Sequence, residues 1–260
     1  MKKLPVILLL AIALTATALA DKTGKEGFMF DAFVKLDEAS TQAIARAQKW
    51  LAKAQNTDGS WPSSHGRKNT GVAAYAILAL MIGGDVPGEG EYAKNIGLGV
   101  QFLLNQQRDS GVIYGDRKHA VMYQHALATL ALLEVYGMTR NPRIRAAIIK
   151  AINLIVETQH PKGGWRYMPK IEPGDISVTV MLVMALKAAS EAGIHVPEAT
   201  MKRAIKFVKS CYNPKEKGFG YMHGRTKAEF PRTAAGLVSL QTAGLHKDPI
   251  VPKVVDYLMK

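Results

Sequence analysis

The chain has 260 residues, 48% of them apolar, and carries 34 Lys and Arg against 21 Asp and Glu, a formal net charge of +13. That length and apolar content suit a single domain with a large core. A single cysteine, Cys211, excludes an internal disulfide. The basic residues are scattered rather than gathered in a stripe, which describes a solvated surface and not a nucleic-acid reader.

Residues 1–20 open with Lys2 and Lys3, continue through the apolar run Leu4 to Leu14 and end on Ala18-Leu19-Ala20. This three-part pattern predicts a secretory signal removed before Asp21, and it is too short for a membrane span. We therefore expect a secreted or periplasmic protein with no transmembrane anchor after cleavage. Without the two leader lysines the net charge is +11, enough to draw anionic polymers or surfaces. Residues 21–36 carry Gly24 and Gly27 and read as an irregular N-terminal arm. Residues 37–260 read as one repeat domain.

Within that domain, amphipathic helical periodicity recurs over roughly 37–55, 91–107, 143–159 and 197–212. In the third stretch Ile148, Ile149, Ile152 and Ile155 recur at three- and four-residue intervals beside Arg143, Arg145 and Lys150, so one face is wet. Each such stretch is followed by a helix of different character, over roughly 70–83, 119–137, 175–192 and 230–243. Val72 to Met81 has no polar face at all, and a helix apolar nearly all round has to be buried on nearly all sides. The second helices are thus predicted to form an inner layer and the first an outer one. Pro249 to Lys260 resembles one more outer helix without its partner.

Between the two helices of each pair lies a Gln- or Asn-led turn rich in glycine and aromatics. The turns are marked by Gly59 with Trp61, Gly111 with Tyr114, Gly163-Gly164-Trp165 with Tyr167, and Gly218-Phe219 with Tyr221. Their core glycines, Gly59, Gly111, Gly163 and Gly218, are 52, 52 and 55 residues apart. A period of that length means stacked helical units sharing one continuous core. Once-per-unit aromatics suit a brace between repeats better than a cofactor contact.

The Gln-x-x-x-Gly-x-Trp turn at Gln55 to Trp61 and the Gly163 to Tyr167 turn followed by Asp175-Ile176-Ser177-Val178-Thr179 resemble the squalene-cyclase and protein-prenyltransferase superfamily. The resemblance covers about residues 40–245. It implies an all-α fold, an α/α toroid of about four helix pairs plus a terminal helix. The protonating cyclases of that superfamily carry Asp-x-Asp-Asp-Thr at the mouth of an inner helix. Here Asp175 matches the first aspartate and Thr179 the threonine, but Ser177 and Val178 stand where the other two aspartates would be. A hydroxyl cannot protonate an alkene as a tuned carboxylic acid can. Nor is the zinc trio of a prenyltransferase legible, so no metal and no cofactor are expected.

Aligning Leu80, Leu132, Leu186 and Leu240 puts Asn69, Val121, Asp175 and Glu229 at equivalent inner-helix starts, with Ala73, His125, Thr179 and Thr233 one turn further in. One reading is a polar cup, with His125 as a base, Asp175 or Glu229 as its partner, and Asn69, Tyr123, Gln124, Thr179, Arg232 and Thr233 as ligand-binding groups, Tyr167 being a secondary candidate for the same rim. The other is that the acids cap helix starts and the threonines satisfy backbone groups. The sequence favours an exported binding or interaction protein without terpene-cyclase or prenyltransferase activity, its partner a polysaccharide, lipid or protein. The alternative is a polysaccharide- or lipid-directed enzyme working at that cup.

Overall fold

A computed structural model describes residues 37–63, 66–116, 119–224 and 227–260. The leader and the N-terminal arm expected over residues 1–36 lie outside these. The outer helices are α1 (Glu38–Ala54), α3 (Ala93–Asn105), α5 (Pro142–Glu157), α7 (Glu198–Ser210) and α9 (Ile250–Leu258); the inner ones are α2 (Thr70–Met81), α4 (Val121–Thr139), α6 (Ile176–Glu191) and α8 (Phe230–Thr242). A two-residue hairpin, β1 (Tyr212–Asn213) and β2 (Gly218–Phe219), forms the fourth turn. Helix starts follow local chemistry. Asp37, Asn69, Asn141 and Asp175 each accept backbone N–H groups of the first turn, and Pro142 fills the first position of α5, where an N–H would have no partner.

The inner helices pack in a row, α2 on α4, α4 on α6 and α6 on α8, and the outer helices α3, α5 and α7 pack on the inner helix of the preceding pair, α2, α4 and α6 in turn. Leu80, Leu132, Leu186 and Leu240 are all fully buried in that row. The all-α toroid of four helix pairs plus a terminal helix is therefore the architecture of the chain. Among the described residues no comparable packing joins α8 back to α2, and α9 covers α8 and β2 on the outer side. The expectation of nearly complete burial holds for α4 but needs correcting at the ends of the row. Tyr75 on α2 is 58% exposed and Phe230 on α8 is 61% exposed, because an end helix has an inner neighbour on one side only.

The turns knit the units together. Gln55 Nε2 donates to Gly59 O in its own turn and to Asn95 O of the next outer helix; Gln107 does the same to Gly111 and Ala147, and Gln159 to Gly163 and Thr200, all between 2.9 and 3.1 Å. The glycine opposite each glutamine has a φ between +86° and +103°. A Cβ there would lie about 2 Å from a backbone carbonyl oxygen of that same neighbouring helix: Leu98, Lys150 or Arg203. Gly164 is excluded from growth differently, by the Phe207 ring and Gly174. Trp61 and Trp165 are buried, and their indole N–H groups donate to Leu51 O and Ile155 O, ten residues back on their own outer helices. In the fourth turn the positive φ moves to Lys217, while Gly218 makes room for Ala228, Thr233 and Tyr257.

Candidate functional site

Three turns reach the same position on the inner helices. Ile113 N–H donates to His125 Nδ1 at 3.1 Å, Trp165 N–H to Thr179 Oγ1 at 3.2 Å and Phe219 N–H to Thr233 Oγ1 at 3.0 Å. His125 is fully buried, and its other nitrogen, Nε2, bonds Ala151 O at 3.2 Å. With Nδ1 accepting, the ring is the neutral Nε2–H tautomer. Burial pushes its pKa down to about 4. The base expected at His125 is therefore corrected to a brace: both nitrogens are used and none faces solvent. Thr179 and Thr233 serve likewise rather than reaching a ligand. Asn69 Oδ1 caps α2, and Gln124 Oε1 accepts from Thr70 and Gly115 N–H groups. Tyr114 stands apart under the Arg108 guanidinium, 4.8 Å from its ring centre.

What remains at the inner-helix mouth is a cluster around Asp175. Its backbone N–H donates to Trp165 O, and its Oδ1 accepts the Val178 N–H at 2.9 Å. The side chain is fully buried and Oδ2 has no hydrogen-bond partner. Burial raises the carboxyl above the usual carboxylate range; the N–H groups of Val178 and Ser177, the Arg166 charge and the Tyr221 hydroxyl oppose that rise without cancelling it. An aspartate at a helix start is ordinarily held ionised by the N–H groups there, but here desolvation outweighs them.

Tyrosines surround this acid because successive turns hand their backbones to preceding helix starts. Tyr167 O accepts the Met122 N–H of α4, and Tyr221 O accepts the Ile176 N–H of α6. The two hydroxyls of Tyr167 and Tyr221 meet. The Tyr167 ring lies 6.1 Å from that of Tyr123 and 6.4 Å from His119. Burial, then the nearby Asp175 charge, pushes the Tyr123 hydroxyl up to about 12; burial and Tyr167 push Tyr221 up as well. Arg166 and Arg232 sit over the rings of Tyr167 and Tyr221 at 5.5 and 5.0 Å, and Arg232 also pairs with Glu229 at 3.2 Å. Glu229 does not cap α8 with its side chain, and this ion pair holds it beside Tyr221 instead.

Of the residues singled out in the sequence, the structure gathers Asp175, Tyr123, Arg232, Glu229, Tyr167 and Tyr221. Sequence reasoning counted Tyr167 both as a turn residue and as a secondary candidate for this rim, and Tyr221 as a structural turn residue only. Both stand two places after a buried brace aromatic, Trp165 or Phe219, and that shared phase was the signal that they face the same opening. Arg166, over the Tyr167 ring, was missed. The Cys211 thiol is buried, its pKa pushed up to about 12 by desolvation, and it is no nucleophile. Among the described residues no three His, Cys, Asp or Glu side chains converge as a metal site would need, and no helix is long and apolar enough to cross a membrane.

Residues 96–211 match the model of the squalene-hopene cyclase N-terminal domain. Over 131 residues, 46% of this chain and 16% of the relative, the sequence is 30% identical to lanosterol synthase erg7A of Aspergillus fumigatus. Over 174 residues, 66% of this chain and 31% of the relative, it is 26% identical to drimenyl diphosphate synthase of Streptomyces showdoensis. The chain thus spans less than a third of the length of either relative. The type II terpene cyclase MstE from Scytonema shares the fold with a TM-score of 0.56 at 11% identity, covering 96% of this chain and 66% of that one. Over these residues in sequence, and in fold, the chain is similar to the squalene and terpene cyclases of the α/α-toroid superfamily. The expectation of a binding or interaction protein is corrected by these relatives, which are synthases and cyclases by name.

Proposed function

We propose that this chain is an acid-initiated enzyme of isoprenoid chemistry in which Asp175 is the proton donor. The observation that carries this reading is the unpartnered, fully buried Oδ2 of Asp175, on a carboxyl held above its ordinary pKa and walled by tyrosines. Ser177 and Val178 occupy the positions of the superfamily's other two aspartates, so the acid falls to the one carboxylate of that motif that remains. The Oδ2–H bond would break as the proton adds to one carbon of a double bond, whose π pair forms the new C–H bond. The other carbon is left cationic. Loss of a proton from a neighbouring carbon, back to the Asp175 carboxylate or to water, closes the balance after any ring closure. The π faces of Tyr123, Tyr167 and Tyr221 supply electron density for the cation without a nucleophile that would trap it. Incubation with linear isoprenoids, followed by product analysis, tests the reading: Asp175→Asn should abolish product formed by the wild type, and product from Asp175→Asn at the wild-type rate would sink it. Export through the leader at residues 1–20 is part of the same proposal, supported by its charged start, apolar run and Ala18-Leu19-Ala20 site. Sequencing the N-terminus of the secreted protein, expected at Asp21, tests that part.

A further inference from the structure

At the start of the inner row, one face of α2 is without a neighbour among the described residues. Val72, Tyr75, Ala79 and Ile82 recur at three- and four-residue spacing and share one stripe. Tyr75 is 58% and Ile82 50% exposed, with Val72 and Ala79 half-buried between and beside them. No residue from Thr70 to Gly84 is charged, so this flank lacks the polar side that an outer helix turns to water. A continuous apolar stripe of this kind marks an interaction surface. The far end of the row shows one source of cover: after Pro249 the chain lays its own last helix, α9, on α8.

At the near end, residues 21–36 precede α1 and lie outside the described residues. Residues 28–36 are apolar except for Asp31 and Lys35, and they hold three of the chain's seven phenylalanines, Phe28, Phe30 and Phe33. The stripe is within their reach. Gln48 Nε2 donates to Ala79 O and Leu80 O at the end of α2, and no residue of α1 before Gln48 is buried, so the first half of α1 runs on past that end. From Asp37 back to the level of Tyr75 is then about 25 Å at ~1.5 Å per helical residue, a distance an extended chain crosses in about seven residues. We infer that residues 28–36 of the same chain cover the open face of α2, with Phe30 level with Tyr75. A tethered segment meets that face at an effective concentration of about millimolar, whereas two copies of a chain with a net charge of +13 repel each other.

Thiol labelling of the full chain tests this cover. Cys211 is buried and desolvation pushes its thiol up to about 12, so it does not compete for a maleimide at neutral pH. Tyr75→Cys and Phe230→Cys place new thiols at the two ends of the inner row, where both native side chains are more than half exposed among the described residues. After thermal melts show each variant folded, the Tyr75→Cys thiol should react about tenfold or more slowly than that of Phe230→Cys. Adding Phe30→Asp and Phe33→Asp should bring the two rates together. Equal rates in the otherwise native chain, or protection that survives the two aspartates, overturn the inference. Phe28→Cys and Phe30→Cys, each paired with Tyr75→Cys, keep the test decisive where the aspartates prevent folding: mild oxidation should join one of these pairs within a single chain. A disulfide-linked dimer would put a second copy on α2, and no disulfide in either pair would leave the stripe to another occupant; both results overturn the arm as its cover.

Discussion

Ile113 donates its backbone N–H to Nδ1 of His125 at 3.1 Å, in the position where two other repeats place a threonine. A protonated ring would aim a second N–H at that donor, so folding requires the neutral form. The folded pKa, about 4 against 6.5 for an ordinary histidine, is depressed, so below pH 6.5 the unfolded chain binds a proton that the folded one refuses. Stability is therefore lost as pH falls from about 6.5 to about 4, by about 3 kcal/mol at ~1.4 kcal/mol per unit. His125→Ala should itself destabilise by about 2–4 kcal/mol at pH 7, since it strands the Ile113 N–H and Ala151 C=O in the core. Urea melts of both proteins across this range should show their difference shrinking towards pH 4; a constant difference would mean the ring is accessible and free to charge.

Trp165 fills the seam between α5 and α6 and spends its indole N–H on Ile155 O at 2.8 Å. Trp165→Ala should cost ~3–5 kcal/mol from lost contacts and the cavity left behind. An unchanged urea midpoint with altered ligand binding would show that Trp165 faces a ligand instead.

The layers were legible in the sequence because two signals agreed. The 52-residue spacing of the turn glycines gave the repeat, and the contrast between Val72 to Met81 and the charged stretch around Lys150 told inner from outer helix. The leucine register found the ring of helix starts for the same reason. What it could not rank was side chains within that ring. His125, Thr179 and Thr233 look like ligand groups in sequence, yet each is aimed at a turn N–H from residues 12 to 14 places earlier. The reverse holds for Asp175, where the helix-start N–H groups are local and readable, while the burial that outweighs them arises only when the chain packs.

Gly111 is held at a φ of +89° with the Lys150 carbonyl oxygen 2.4 Å from where a Cβ would be. Gly111→Ala should therefore cost more than about 3 kcal/mol, because strain and a backbone clash that no side-chain rotation relieves act together. Gly137, near the end of α4, has open space and an ordinary φ. Gly137→Ala should stabilise by about 0.5–1 kcal/mol through helix propensity. Equal thermal shifts for the two variants would contradict the docking of the second turn on α5.

Asp175 should reveal itself in stability as well as in turnover. Its folded carboxyl pKa is raised from 3.8 by burial, so above pH 3.8 the folded protein holds a proton more tightly than the unfolded one. Its contribution is fully present at lower pH and is lost as pH rises through the folded value. Asp175→Asn keeps an oxygen for the Val178 N–H and removes the charge, so the variant should gain on the wild type between pH 4 and pH 7 and lose most or all of its catalysis. Thermal melts of the pair at several pH values measure the first effect and product analysis the second. A variant that loses ground as pH rises would show that the native carboxylate is stabilised by its surroundings, and a group so stabilised is already ionised near neutral pH and holds no proton to give to a double bond.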